Sequence, residues 1–420
     1  MASYNRRIID DVLDELQPQL RAIVLEGPRA VGKTATAARR ATTVLNLDLD
    51  SQRQLIEADP SLLASLPGPV LVDEWQRLPA TWDIIRRLVD DASPRGRFLM
   101  TGSALPVGAA IHSGAGRIVP FRMRPLSLAE RGLGKPTVSL AQLVNGQTGV
   151  AGETKVALRD YVHEIVVSGF PGIREEPPRA RRTELDAYIA NAVSREFPQQ
   201  GFKVRRPQAL RDWLAAYAAA TGTTTSYAGI LDAATPNDAE KPSKDTIAGY
   251  REALASLWLL DPLPAWTTTN NALKRLGQAS KHFLADPALA ARLLGQDEAS
   301  LLRTDARTLK NGPMLGALFE NLVTLSVHIY ADAAECQVFH LRTRDGDHEV
   351  DLIVQRPDGA IAALEIKLTA APNNSDGRHL NWLSRTIGDE LVAKAIVTTG
   401  PYAYNRPDGI TVVPAALLGP

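Results

Sequence analysis

Cysteine is almost missing from this sequence. Cys336 is the single one among 420 residues, so no intramolecular disulfide can form and no multi-cysteine zinc site can be assembled, a usage that fits a reducing compartment. Aromatic residues make up only 5% of the chain, so its cores must be largely aliphatic. Neither sign of charge is in excess, since 47 Lys and Arg balance 47 Asp and Glu. That balance excludes a globally basic nucleic-acid wrapper and an acidic disordered tail, and it leaves any charged partner to a local patch. No stretch reaches the roughly 18 uninterrupted apolar residues of a membrane span. The first segment carries Asp10, Asp11, Asp14 and Glu15 where a signal peptide needs an apolar centre. The expectation is a cytoplasmic, soluble chain without a membrane partner, divided by its length into roughly two to four domains.

Periodicity then divides the chain. Ile8, Ile9, Val12, Leu13 and Leu16 recur at helical spacing and predict an amphipathic helix ending before Pro18. From Ala22 to about Met123 the short apolar runs AIVLEG, VLNLDLD, PVLVDEW and RFLMTGSA alternate with helical patterns, the signature of a parallel sheet covered by helices. Beyond Pro125, long helical stretches rich in Ala and Leu follow, and the face formed by Ile247, Leu254, Leu257 and Leu260 suggests a helix-turn-helix. After a helix around GALFENLVTLSVHIYA, strand-like QVFHLRT, EVDLIVQ, AIAALEIKLT and AKAIVTT return, with a hairpin turn at Pro357, Asp358 and Gly359. The fold class is therefore α/β. Residues 1–135 form the parallel-sheet domain with its N-terminal helix, 136–300 a helical region, and 301–420 a smaller α/β domain.

The chemistry concentrates first at Gly27-Pro28-Arg29-Ala30-Val31-Gly32-Lys33-Thr34, which matches GxxxxGK[ST] between a predicted strand and a predicted helix. Its glycines permit a tight loop whose backbone N–H groups converge on a phosphate. Lys33 would reach the β- and γ-phosphates of ATP, and the Thr34 hydroxyl would ligate Mg²⁺. A second element strengthens the reading: Val70-Leu71-Val72-Asp73-Glu74 is an apolar strand ending in two carboxylates. In this Walker-B pair Asp73 belongs in the Mg²⁺ shell, and Glu74 is placed to polarise an attacking water. A third strand ends in Thr101 and Ser103, which puts hydroxyls near the γ-phosphate if its carboxyl end lies beside the other two. Capping of the next turn is the other role open to either hydroxyl.

The order and spacing of these elements resemble the AAA+ ATPases, in which a polar sensor residue follows the Walker-B strand. The continuation GAGRIVPFRMRPLSLAE is similar to a prokaryotic subgroup in which a Gly-Arg step precedes a Pro-Leu-Ser-x-x-Glu segment. Arg117 in that step is the candidate γ-phosphate-sensing or trans-acting arginine, with a surface arginine paired to a carboxylate as the alternative. If AAA+ behaviour carries over, the active form is a homo-oligomer. The subgroup carries a C-terminal domain of unknown function, which SGFPGI, Ser194-Arg195-Glu196, KHFLADPAL and GALFENLV resemble in order. The segment at about 205–265 resembles a winged-helix unit. Its Lys241, Lys244 and Arg251 are offset by Asp238, Glu240, Asp245 and Glu252, so it lacks the basic stripe that phosphate contacts need.

The last region adds a separate pattern. His348-Glu349-Val350-Asp351-Leu352-Ile353-Val354 is followed, thirteen residues after Asp351, by Glu365-Ile366-Lys367. This resembles the PD-(D/E)xK restriction-endonuclease motif. Two acids on adjacent antiparallel strands can share a divalent cation, and a lysine two residues on lies on the same face as the second acid. The resemblance implies a second cation held by Asp351 and Glu365, with Lys367 positioning water and Glu320 contributed by the preceding helix. Surface residues of a hairpin, or an inactive relic of such a fold, are the alternatives. His340 and His348 are expected at the surface beside it. The leading expectation is a Mg²⁺-dependent ATPase acting on DNA or RNA. A metal-dependent nuclease gated by ATP, and a non-hydrolysing nucleotide-switched scaffold, are the two others.

Overall fold

The computed structural model describes residues 4–91, 93–103, 114–147, 149–199, 206–235, 242–267, 278–303, 308–343 and 346–420. Its N-terminal sheet contains β1 (Ala22–Glu26), β2 (Thr43–Asn46), β3 (Val70–Asp73), β4 (Phe98–Gly102) and β5 (Ile118–Arg122), in the order β2-β3-β4-β1-β5. Every pairing is parallel. The runs are apolar because both faces are covered. Ile23, Leu25, Leu71 and Leu99 enter one core, while Ala22, Val24, Val70, Val72, Phe98 and Met100 enter the other, as the two-residue repeat of a strand requires. The predicted helix Ile8–Leu16 forms and stops before Pro18. It packs against the distant helix Thr308–Ala333 as well as the sheet domain that follows it.

The middle region contributes the helices Leu158–Val167, Pro178–Asn191, Pro207–Ala219, Tyr227–Ala234, Lys244–Ser256 and Pro287–Leu293. A second, eight-stranded sheet has the order β7-β13-β14-β12-β11-β10-β9-β8. It is built from β7 (Gly152–Glu153), β8 (Ala265–Trp266), β9 (Gln337–Arg342), β10 (Glu349–Gln355), β11 (Ile361–Lys367), β12 (Leu391–Thr398), β13 (Tyr402–Asn405) and β14 (Thr411–Pro414). The four strands predicted in the last region are β9 to β12, and the β10–β11 hairpin turns at Gly359 with φ +94°. The two edge strands, β7 and β8, come from the middle region. A further parallel pair joins β6 (Val138–Ser139) to β15 (Leu418–Gly419). One apolar core runs from Leu13 to Leu418, so the regions share an interior.

The helix Thr308–Ala333 lies at the centre of this interior. Its stretch Gly312–Ala333 is long and apolar enough to cross a membrane, but 78% of the most apolar window is buried within the fold. This is the pattern of a core helix, apolar all round because protein surrounds it.

Candidate functional site

Strand register assembles the nucleotide site. β3 and β4 pair Val72 with Met100, and β1 and β4 pair Leu25 with Thr101. The carboxyl ends of three neighbouring strands therefore release Gly27, Asp73 and Ser103 at one edge of the sheet, where open α/β sheets bind ligands. The loop that leaves β1 depends on glycine at two points. At Gly27, φ is +144° and a Cβ would lie 2.1 Å from the Met123 carbonyl oxygen, while Gly32 adopts φ +98° just before the helix Lys33–Ala38. No L side chain fits the first of these without moving backbone.

Asp73 is buried and accepts a 2.7 Å hydrogen bond from the Thr34 hydroxyl and another from Thr101 Oγ1. The Glu74 backbone turns into the left-handed region at φ +55°, which carries its side chain off the line of the strand. There its carboxylate accepts from Ser103 Oγ at 3.2 Å and from the Gln76 amide. Thr101 and Ser103 thus meet Asp73 and Glu74 at the strand end, beside the phosphate loop. Gln76 is an addition that its place two residues beyond Glu74 could have signalled. Lys33 Nζ folds back onto the carbonyls of Gly27 and Pro28 at 2.9 and 2.7 Å. Burial lowers its ammonium to about 8, against the pull of Glu74. The exposed Thr34 hydroxyl and the buried Asp73 carboxylate are the hard oxygen donors that suit Mg²⁺.

Two residues that sequence reasoning missed brace this loop. Arg7 is buried and donates to the Val31 carbonyl at 2.8 Å, the Arg124 carbonyl at 2.9 Å and Glu130 Oε1 at 2.8 Å. Glu130 in turn caps the short helix that Ser127 opens, so the Pro-Leu-Ser-x-x-Glu segment holds the N-terminal arginine that steadies the loop. Glu196, from the helical region, pairs with Arg29 at 3.3 Å. Arg7 shows no periodicity or motif of its own, and the Ser194-Arg195-Glu196 step does not say what Glu196 meets, because each acts across a long sequence separation.

Arg117 is a correction to the intrachain reading. It precedes Ile118, which pairs with Ala22 at the amino end of β1, so it lies at the edge of the sheet opposite the loop. There it bonds Asp90 at 2.6 Å, too far away to sense a γ-phosphate in its own chain. Two basic runs of the sequence, Lys203, Arg205, Arg206 and Arg211, and Arg179, Arg181 and Arg182, are alternative nucleic-acid contacts or solvated helix faces; of these Arg206, Arg211, Arg179 and Arg182 are exposed and Arg181 is half-buried. Lys203, Arg205, Asp238, Glu240 and Lys241, and the Lys244 side chain, lie outside the described residues. Arg251 stacks over Tyr227 at 4.7 Å.

In the C-terminal region Glu320, Asp351, Glu365 and Lys367 do come together, but an ammonium stands where a metal ion was expected. Lys281 is 1% exposed and sits 2.9 Å from Glu320, 2.8 Å from Glu349 and 3.0 Å from Asp351. Glu365 pairs with Lys367 at 2.9 Å, and Asp351 also accepts from the Ile366 N–H at 2.9 Å. Among the described residues no group of three or more His, Cys, Asp or Glu side chains is arranged to hold a metal ion. Burial alone would lower Lys281, but Asp351, Glu320 and Glu349 hold it well above its usual value. Burial and the neighbouring Asp351 raise Glu320 to about 7 and push Glu365 well up. His340 is buried rather than exposed, bonds the Ala279 carbonyl at 3.1 Å and is lowered to about 4 by burial. His348 stacks on Trp382 at 4.0 Å. The Lys281 contribution was hidden because it comes from the KHFLADPAL segment, far from the hairpin in sequence.

The parallel sheet, the phosphate loop and the Asp73–Glu74 strand end define an AAA-type ATPase-like protein with an α/β fold. Comparison with known families agrees: an AAA domain matches residues 19–132, a domain of unknown function, DUF8612, residues 158–300, and another, DUF4143, residues 315–418. The AAA domain supports ATP binding. Uncharacterized proteins of Mycobacterium bovis and Mycobacterium tuberculosis are each 28% identical over 404 residues, covering 94% of this chain and 80% of the relative. Among solved structures, the Aeropyrum pernix ORC2 protein in ADPNP–ADP complexes covers 68% of this chain and 91% of its own, at 14% identity and a TM-score of 0.28.

Proposed function

We propose that the chain is a Mg²⁺-dependent ATPase whose turnover is coupled to nucleic acid. The observation that carries the reading is the meeting of Thr34, Asp73 and Thr101 at one strand edge beside Lys33. Thr34 and Asp73 would hold Mg²⁺, which supplies positive charge to the phosphates when bound. Lys33 would exchange its two loop carbonyls for phosphate oxygens, and the loop N–H groups would orient the chain of phosphates. Glu74 would hold the attacking water and take its proton, with Ser103 and Gln76 fixing the carboxylate. Arg117, half-buried at the opposite edge of the sheet and paired with Asp90, would act only on a neighbouring copy, by exchanging that carboxylate for a phosphate.

Nuclease chemistry is the weaker reading. Lys281 and Lys367 stand among its four carboxylates from within the chain, which lowers the electrostatic demand for a divalent ion.

A phosphate-release assay with Mg²⁺, with and without single- and double-stranded nucleic acid at stated salt, tests the proposal. Lys33→Ala should lose nucleotide binding and turnover. Glu74→Gln should keep binding and lose about 10²–10⁴ in rate, the usual contribution of a positioned base. Unchanged turnover in both variants would overturn the ATPase, and tight binding without any turnover in the wild type would favour the switch.

A further inference from the structure

Glu196 reaches the phosphate loop from an unusual piece of backbone. The helix Pro178–Asn191 runs directly into a π-helical turn, Ala192–Glu196, before α-helical geometry resumes at Phe197. Such wide turns are rare inside α-helices and concentrate at functional positions. Here the turn ends on the carboxylate that pairs with Arg29 at 3.3 Å. One helical turn and more before it, the Tyr188 hydroxyl donates to the Arg29 carbonyl at 3.4 Å. The same helical run therefore holds both the backbone and the guanidinium of a residue inside the octapeptide that cradles phosphate.

The partners of Glu196 are the groups that a polyphosphate would claim. Arg29 belongs to the loop itself and is 42% exposed, against 16% for the Glu196 side chain. Burial raises the Glu196 carboxyl; Arg29 and Lys33 oppose that rise, and Glu74 adds to it. Arg29, Lys33, Glu74 and Glu196 are thus a small coupled cluster of two cations and two anions. Phosphates entering the loop take the cations and place several negative charges beside Glu196, which a poorly solvated carboxylate cannot tolerate without a partner. The next residue, Phe197, packs edge-on against Tyr250 at 5.8 Å, on the helix Lys244–Ser256.

We propose that Glu196 is the residue through which the helical region senses an occupied phosphate loop. Its carboxylate holds Arg29 in the nucleotide-free chain, is displaced when the phosphates of a nucleoside triphosphate take Arg29 and Lys33, and shifts the π-turn against Tyr250. This rests on the nucleotide-binding reading above. Displacement requires differential affinity between two arrangements, and the competition supplies it: every triphosphate bound must first release Arg29 from Glu196.

The test uses the full chain and a non-hydrolysable ATP analogue with Mg²⁺. Glu196→Gln, which keeps the shape and removes the charge, should tighten binding about tenfold, and the gain should shrink to less than about twofold in an Arg29→Ala background. Hydrogen exchange on the wild type, which needs no variant, should show amides 192–197 exchanging several-fold faster with the analogue bound. Unchanged or weaker binding by Glu196→Gln, a gain that persists without Arg29, or exchange at 192–197 that the analogue leaves unaltered would each overturn the proposal. The two levels separate cleanly. Wild-type binding that Lys33→Ala abolishes, together with any of those results, overturns the sensor and leaves the nucleotide site standing. No binding by the wild type and by Glu196→Gln alike overturns both.

Discussion

Replacing Lys281 by Met should be among the most damaging single changes outside the nucleotide site. Methionine keeps much of the side-chain volume and removes only the ammonium, so the loss reads the charge. Three carboxylates lie within 2.8–3.0 Å of Nζ. Breaking a buried ion pair costs roughly 3–5 kcal/mol, because the surviving charge stays in the interior. Glu349, at 34% exposure, can turn to water and adds no more than a surface pair, about 0–1 kcal/mol. Asp351 retains the Ile366 N–H, which softens its share. The expected net loss is about 4 kcal/mol, or about 10³-fold in the protection of amides in β10 and β11 such as Leu352 and Leu364, at 1.4 kcal/mol per tenfold.

The pH dependence of this loss follows from Glu320. Its folded value is raised to about 7 from an ordinary 4.5, so between those limits the folded state holds the proton more tightly than the unfolded state. Its contribution favours the fold at low pH and is lost as pH rises through 7. Without Lys281 the rise is greater still, and protonation relieves more of the repulsion, so Lys281→Met should be hurt less at pH 5 than at pH 8. Hydrogen exchange at both values, corrected for intrinsic rates, measures this. A loss below about tenfold at pH 8, or an equal loss at both pH values, would refute the assignment of Lys281 as the internal counter-ion.

Lys33 gives a second pH dependence, read in affinity rather than in stability. Its ammonium is lowered to about 8 by burial, and phosphate binding requires the charged form, so affinity for the ATP analogue should be level below pH 7 and weaken as pH rises through 8. By pH 9 it should be about tenfold weaker; affinity that stays level to pH 9.5 would show that the ammonium is not needed. Arg7→Lys should lower the melting temperature by roughly 3–4 °C, from a loss of about 3 kcal/mol against an unfolding entropy of about 2.1 cal/mol/K per residue, because an ammonium cannot reproduce the fork that reaches Val31, Arg124 and Glu130 together. A shift under about 2 °C in a thermal melt would count against the brace.

Local pattern carried the nucleotide site into view. The loop at Gly27–Thr34, the strand end at Asp73 and Glu74, and the hydroxyls of Thr101 and Ser103 all stand where the backbone period and the motif spacing put them, because strand register converts spacing directly into proximity. The short strands at Gly152–Glu153, Ala265–Trp266 and Leu418–Gly419 were not legible, since two residues carry no period. Nor were Arg7, Glu196 and Lys281. Each is a single charged residue whose partners lie tens to hundreds of positions away, and charge by itself does not say which carboxylate it will meet. At the C-terminal cluster this mattered for function: the hairpin acids suggested a metal, and only the tertiary fold revealed the ammonium among them. Arg117 shows the converse, where motif resemblance pointed at the phosphates and the direction of β5 carried the residue to the other end of the sheet.

The same long-range ion pairs limit how the molecule can respond to a ligand. The strand that backs Gly27 continues into Arg124, which bonds Asp261 at 2.9 Å and Asp332 at 2.6 Å, while Arg122 reaches Asp261 at 3.0 Å. Burial would raise the Asp261 carboxyl, but Arg122 and Arg124 hold it far below its usual value. One junction therefore ties the nucleotide domain to the helical region and to the core helix Thr308–Ala333. Swinging these regions apart would break the buried Arg124–Asp261 pair at roughly 3–5 kcal/mol, with the half-exposed Asp332 adding no more than a surface pair; this exceeds the 1–3 kcal/mol by which a bound effector typically shifts an equilibrium. Nucleotide can do little against that junction. The Arg29–Glu196 pair is a different case, with one partner 42% exposed and a wide helical turn behind the other, so the response to nucleotide should begin there and travel as a local shift toward Tyr250 rather than as a separation of regions.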